Sequence, residues 1–161
     1  MTKIGLQLIL CATIFFLCPT NSFSQQAKKQ SSLDSLQAKM GRLVNYQNDF
    51  IDFAKSQHHD SLEYEIVTSF NVVSNEVFEY VSSTRTLLYI YENLSCDVDR
   101  TLVKTMIKKQ LNGYLQMLDN DIKTVNIGLS DVKTPAIATS GTQLKEDLRE
   151  IKMLLEQLMA E

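Results

Sequence analysis

The chain has 161 residues, with 16 basic and 19 acidic side chains, a formal charge of −3 and 44% hydrophobic residues. A mildly acidic chain exerts no bulk attraction on nucleic acid or anionic membranes. With three cysteines, two histidines and no tryptophan, it lacks the residues that clustered zinc or haem sites require.

Residues 1–24 read as a secretory signal peptide. Lys3 supplies a positive start, Leu8 to Cys18 form a short apolar run, and Pro19 ends it. Ser22 and Ser24 place small residues at −3 and −1, so cleavage is expected between Ser24 and Gln25. The run falls short of the roughly 20 apolar residues that span a bilayer, so no stable transmembrane anchor is expected. Cys18 follows Leu17 and Cys11 follows Leu10, where a lipidated cysteine would follow a small residue. Removing 24 of 161 residues leaves 137, and losing Lys3 leaves 15 basic against 19 acidic groups, or −4. One domain with a sizeable core fits that length.

Cys96 then stands alone, so no intrachain disulfide is expected. Secreted animal domains of this size usually carry disulfides, which favours a bacterial envelope protein over eukaryotic secretion. The expected setting of Cys96 is that of a small, buried or half-buried apolar residue; an intermolecular disulfide and a reactive thiol are the alternatives.

Residues 25–31 should form a flexible tail after cleavage, and residues 32–161 a single helical domain. The first helix is expected from Leu33 to Gln57, on the stripe Leu33, Leu36, Met40, Leu43, Gln47, Phe50 and Ala54. SQHHDSLE, Ser56 to Glu63, follows. Continuing the Phe50–Ala54 phase predicts apolar residues at 57, 61, 64 and 68, whereas the next stripe uses Ile66, Phe70 and Val73. That slip of two residues is roughly 200° around a helix, so the chain must break there. His58 and His59 therefore read first as the end of a helix and a turn, with a metal or acid–base site as the alternative. Asp60 is the expected cap of the next helix, with Glu63 completing its capping box.

The second helix is expected from Ser61 to Asn93. Ile66, Phe70, Val73, Val77, Tyr80, Thr84, Leu87 and Tyr91 keep alternating steps of four and three. Its β-branched and aromatic content suggests a strand, but no two-residue period survives Val72-Val73. The third helix is expected from Asp97 to Ser130, on Val103, Ile107, Leu111, Tyr114, Leu118, Ile122, Val125 and Leu129, with Gly128 as an alternative end. Asp97 and Asp99 suit its first turn. Gly113 lies mid-helix, where a close helix approach would account for it. Pro135 and Gly141 mark residues 131–142 as a loop. A last helix then carries Leu144, Leu148, Ile151, Leu155 and Leu158, with Ser140 and Gln143 as its capping box. Its charges, Asp147 among them, are expected on the outer face.

These elements predict an all-α fold, an up-down four-helix bundle of long antiparallel helices with coiled-coil-like spacing. No Glu-x-x-His, Cys-x-x-Cys-His, Gly-x-Ser-x-Gly or phosphate-binding glycine loop is present. No catalytic, cofactor or metal residues are therefore assigned. Glu76 and Glu79 share a helical face and read as solvated. Gln47, Thr84 and Tyr114 interrupt the stripes, as hydrogen-bonded residues or as the lining of a small pocket. Arg100, Lys104, Lys108 and Lys109 form a basic ridge that could meet an anionic partner. The expected role is structural or protein-binding, in the periplasm or outside the cell, with homo-oligomerisation open. A ligand-sensing bundle is the alternative, and an enzyme of unknown type the third reading.

Overall fold

The computed structural model describes the backbone of residues 20–160 and the side chains of residues 29–160. Four helices occur among the described residues, and no strand: α1 Thr20–Ser56, α2 Leu62–Asn93, α3 Asp97–Asp131 and α4 Pro135–Ala160. The signal segment up to residue 19 lies outside the described residues, as do the side chains at the expected cleavage point, Ser24 and Gln25. The backbone of residues 25–31 is helical in this uncleaved chain, whereas the expected tail concerns the chain after cleavage. The packing below is that of residues 32–160.

The heptad-like stripes become the core. Leu36, Leu43, Phe50, Val67, Phe70, Val77, Leu118, Val125, Leu144, Leu148, Ile151 and Leu155 are fully buried. The α2 stripe drifts as it runs, so that Leu88 is buried while Leu87 and Tyr91 are only half-buried. This is the drift of a 3.6-residue helix against a seven-residue repeat. Contacts across neighbouring helices run in opposite chain directions. Phe50 meets Phe70 and Met40 meets Arg85 between α1 and α2. Tyr80 stacks on Tyr114 and Tyr91 lies under Arg100 between α2 and α3. Asn126 pairs with Lys145 and Asp119 with Lys152 between α3 and α4. Ser32 meets Gln157 and Tyr46 meets Asp147 between α1 and α4.

Two helix ends differ from the sequence expectation. Ser61, not Asp60, caps α2: its Oγ accepts from the Tyr64 N–H at 3.1 Å. Glu63 turns away and serves another helix. Its carboxylate accepts from the Lys133 and Thr134 N–H groups at 2.8 and 2.7 Å and from Thr134 Oγ1 at 2.8 Å. Those hydrogen bonds, the Thr134 hydroxyl first, hold its pKa below the usual carboxylate value.

The expected loop over residues 131–142 shrinks to 132–134, because Pro135 opens α4 rather than breaking it. A proline at the first helical position lacks only an N–H that has no helical partner anyway. Ser140 and Gln143 therefore lie within the helix and cap nothing. Gly128 and Gly141 end no helix. A Cβ on Gly128 would fall 2.6 Å from Phe70 Cε1, and one on Gly141 would fall 2.6 Å from Phe70 Cε2. The two glycines are the walls of a slot that grips the Phe70 ring between α3 and α4. Gly113, by contrast, faces open space, so no close helix approach explains it.

The slot makes a stability prediction. Gly141→Ala should cost about 1–3 kcal/mol by overpacking, and Phe70→Ala about 3–5 kcal/mol by opening a cavity. In the double variant the alanine at 141 should cost less than it does in the wild type, since the opposing ring is gone. Urea unfolding of the four proteins measures all three quantities.

Candidate functional site

An α-helix that packs on one side should be apolar on one side. Helix α3 also carries apolar residues on a second side, among Asp99, Lys109, Gln116, Asn120 and Thr124. It buries Ile107, Leu111, Leu118 and Val125. It also exposes Val98 (76%), Leu102 (61%), Met106 (50%), Met117 (45%) and Ile127 (67%). At 100° per residue these five fall within an arc of about 100°, centred roughly 150° from the buried face. Lys109 lies inside that arc, whereas Lys108 and Lys104 fall about 80° and 120° beyond its edge, towards the buried face. All three lysines are exposed, and among the described residues none forms an ion pair. Arg100, also exposed, lies with its guanidinium carbon 5.9 Å from the centre of the Tyr91 ring. The basic residues thus spread around the first half of α3, and Lys109 alone shares the side of Val98, Leu102 and Met106.

His58 and His59 lie in the connection between α1 and α2. His58 Nδ1 is 3.9 Å from Asp60 Oδ2, and both side chains are almost fully exposed. The His59 ring meets Tyr64 edge-on at 4.7 Å. Among the described residues no three His, Cys, Asp or Glu side chains gather as metal ligands. Cys96 is exposed, not buried, because it occupies the cap position of α3 at the α2–α3 turn.

The residues that interrupt the stripes part company. Thr84 Oγ1 donates to the Tyr80 carbonyl at 2.8 Å, and the Tyr114 hydroxyl accepts from Gln110. Gln47 Nε2 is buried with no hydrogen-bond partner.

Two buried carboxylates escaped the sequence reading. Asp147, expected on the outer face, is 4% exposed and collects three donors from α1. Lys39 Nζ and Arg42 Nη2 each stand 2.8 Å from Oδ1, and the Tyr46 hydroxyl donates to Oδ2 at 2.9 Å. Burial first, and then this hydrogen bond, pushes the Tyr46 phenol above its ordinary pKa. Lys39 also pairs with Glu150, whose pKa is lowered chiefly by that hydrogen bond. Asp121 on α3 is 7% exposed and has no such donors: its Oδ2 is buried without a partner, as is the hydroxyl of Tyr80 across the α2–α3 seam. Burial first and Glu76 second push the Asp121 carboxyl up to about 7. A signal for both was present. Asp147 lies three after Leu144 and four before Ile151, and Asp121 lies three after Leu118 and four before Val125. Each therefore sits beside the core stripe, although its charge suggests a solvated face.

No protein-family model matches the chain, and neither a curated protein nor a solved structure shows significant similarity to it. Among the described residues no helix is long and apolar enough to cross a membrane.

Removing the Asp147 carboxylate would leave the Tyr46 hydroxyl without an acceptor and the charge of Lys39 half-compensated. Asp147→Ala should therefore cost about 3 kcal/mol, at the lower end for a broken buried pair because Glu150 remains. Equilibrium urea unfolding at neutral pH would read this directly.

Proposed function

We propose that the chain is an exported up-down four-helix bundle that binds another protein through the outer face of α3, without catalysis. The observation that carries this reading is the exposed apolar row Val98, Leu102 and Met106 on successive turns of α3. Five large apolar side chains remain in water on a helix whose core face is already packed. Contiguous exposed apolar surface on a soluble domain commonly marks an interaction site. Lys109 within that side, with Lys108 next to it in sequence, favours a partner whose apolar residues are accompanied by a carboxylate. An amphipathic helix with an acidic edge fits, laid along α3 as a helix against a groove. The opposed directions of neighbouring helices support the up-down arrangement. Export rests on residues 1–24 and places the partner in the periplasm or outside the cell.

Cross-linking of the protein in its native envelope, read by mass spectrometry, tests the reading. Wild type should give one recurrent cross-linked species; the pair Leu102→Glu with Met106→Glu should abolish it, and the pair Lys108→Glu with Lys109→Glu should weaken it. These exposed substitutions should change stability by no more than about 0.5 kcal/mol each. Free monomer in every preparation, or cross-links indifferent to both pairs, would sink the proposal. Light scattering distinguishes a foreign partner from a second copy of the chain. Intact mass should show an exported form beginning at Gln25; another N-terminus refutes the cleavage site.

A further inference from the structure

We propose that Asp121 is a proton-binding site that controls how tightly α2 packs on α3. The argument begins with geometry. Asp121 is 7% exposed and Tyr80 5% exposed, and Asp121 Oδ2 and the Tyr80 hydroxyl are both buried without hydrogen-bond partners. An ionised carboxylate in that position would be a buried charge with nothing to balance it, which is among the costliest arrangements a core can hold. The neutral acid removes that cost and gains an O–H with which to donate.

The neighbours reinforce the neutral form. From α2, Glu76 adds a like charge, and the nearby Tyr80 ring is stacked on Tyr114 of α3 with ring centres 4.7 Å apart. From α4, Lys152 and Lys145 reach α3 but are held by Asp119 at 2.7 Å and by Asn126 at 3.5 Å. On α1, Lys39 and Arg42 are drawn to Asp147. No cation contributes to the Asp121 carboxylate, so burial and Glu76 push it up from 3.8 to about 7. Tyr80 is raised in turn, by burial first and by Asp121 second.

The sign of the effect follows. The native chain holds this proton more tightly than the unfolded chain does. Stability from Asp121 is therefore complete below the ordinary carboxylate pKa and is lost as pH rises towards 7. On ionisation the O–H bond breaks, the proton passes to water, and an unpaired carboxylate stays in the seam. Glu63 and Glu150 act oppositely, but their lowered pKa values confine that loss to acid below the carboxylate range.

Thermal unfolding of the full chain between pH 5 and pH 8 provides the test. The wild-type midpoint should fall by on the order of 5 °C across that range. Asp121→Asn should exceed wild type by less at pH 5 than at pH 8, and should lose the fall. Glu76→Gln should reduce the fall without abolishing it. The histidines at 58 and 59 are common to all three proteins and cancel in the comparison. A flat wild-type profile, or an Asp121→Asn profile parallel to wild type, would overturn the proposal. Should Asp121→Asn fail to fold, carbon-13 titration of the Asp121 carboxyl in wild type decides instead. A transition centred near 7 supports the proton site, and one centred near 4 refutes it.

Discussion

One buried carboxylate determines how α1 sits in this protein. Asp147 on α4 receives Lys39, Arg42 and Tyr46, which lie on two successive turns of α1. An apolar stripe can slide by a turn with little loss, because leucine packs against leucine in either register. A carboxylate with three specific donors cannot, because each lost donor leaves a buried polar group unsatisfied. The network thus sets the register of α1 on α4, and with it the level at which Phe50 meets Phe70 at 5.6 Å. Lys39 and Tyr46 are themselves 5% and 7% exposed; the Tyr46 hydroxyl depends on Asp147, and Lys39 divides its ammonium between Asp147 and Glu150.

At the neighbouring end of the fold, α2 organises the turn between α3 and α4. Glu63 binds the two N–H groups that open that turn, while Phe70, two helical turns later, fills the slot between Gly128 and Gly141. The carboxylate satisfies backbone donors that would otherwise lack partners at a helix start. The missing side chains at two glycines let three helices approach a single ring. A polar anchor and an apolar one, on the same helix, therefore hold the α3–α4 hairpin.

Asp121 is chemically identical to Asp147 and lies on the same kind of core-flanking position, yet its setting is inverted. One has three donors; the other has Glu76 as its nearest influence. The first is a register pin and the second a liability that a proton relieves. Both lie in a molecule whose third helix leaves an apolar row uncovered, so neither internal packing nor solvation accounts for all of its side chains.

Much of the fold was legible in sequence. The stripes from Leu33 to Ala54, from Ile66 to Thr84, from Val103 to Leu129 and from Leu144 to Leu158 identified four helices. The two-residue slip at SQHHDSLE located the first turn, because hydrophobic periodicity is a local consequence of helix geometry. The pairing of distant residues was not legible. Pro135 and Gly141 both read as loop signals, since proline and glycine each break a helix interior. Only the packed structure shows the first at a helix start and the second against Phe70. Asp147 read as a surface charge and Asp121 went unremarked for the same reason: their burial depends on a neighbouring helix that no local pattern describes. Helix identity and the scarcity of metal-binding residues therefore belong to the sequence itself. Tertiary structure decided which charges are buried, which glycines are contacts and which face of α3 stays open, because each is a property of two helices meeting.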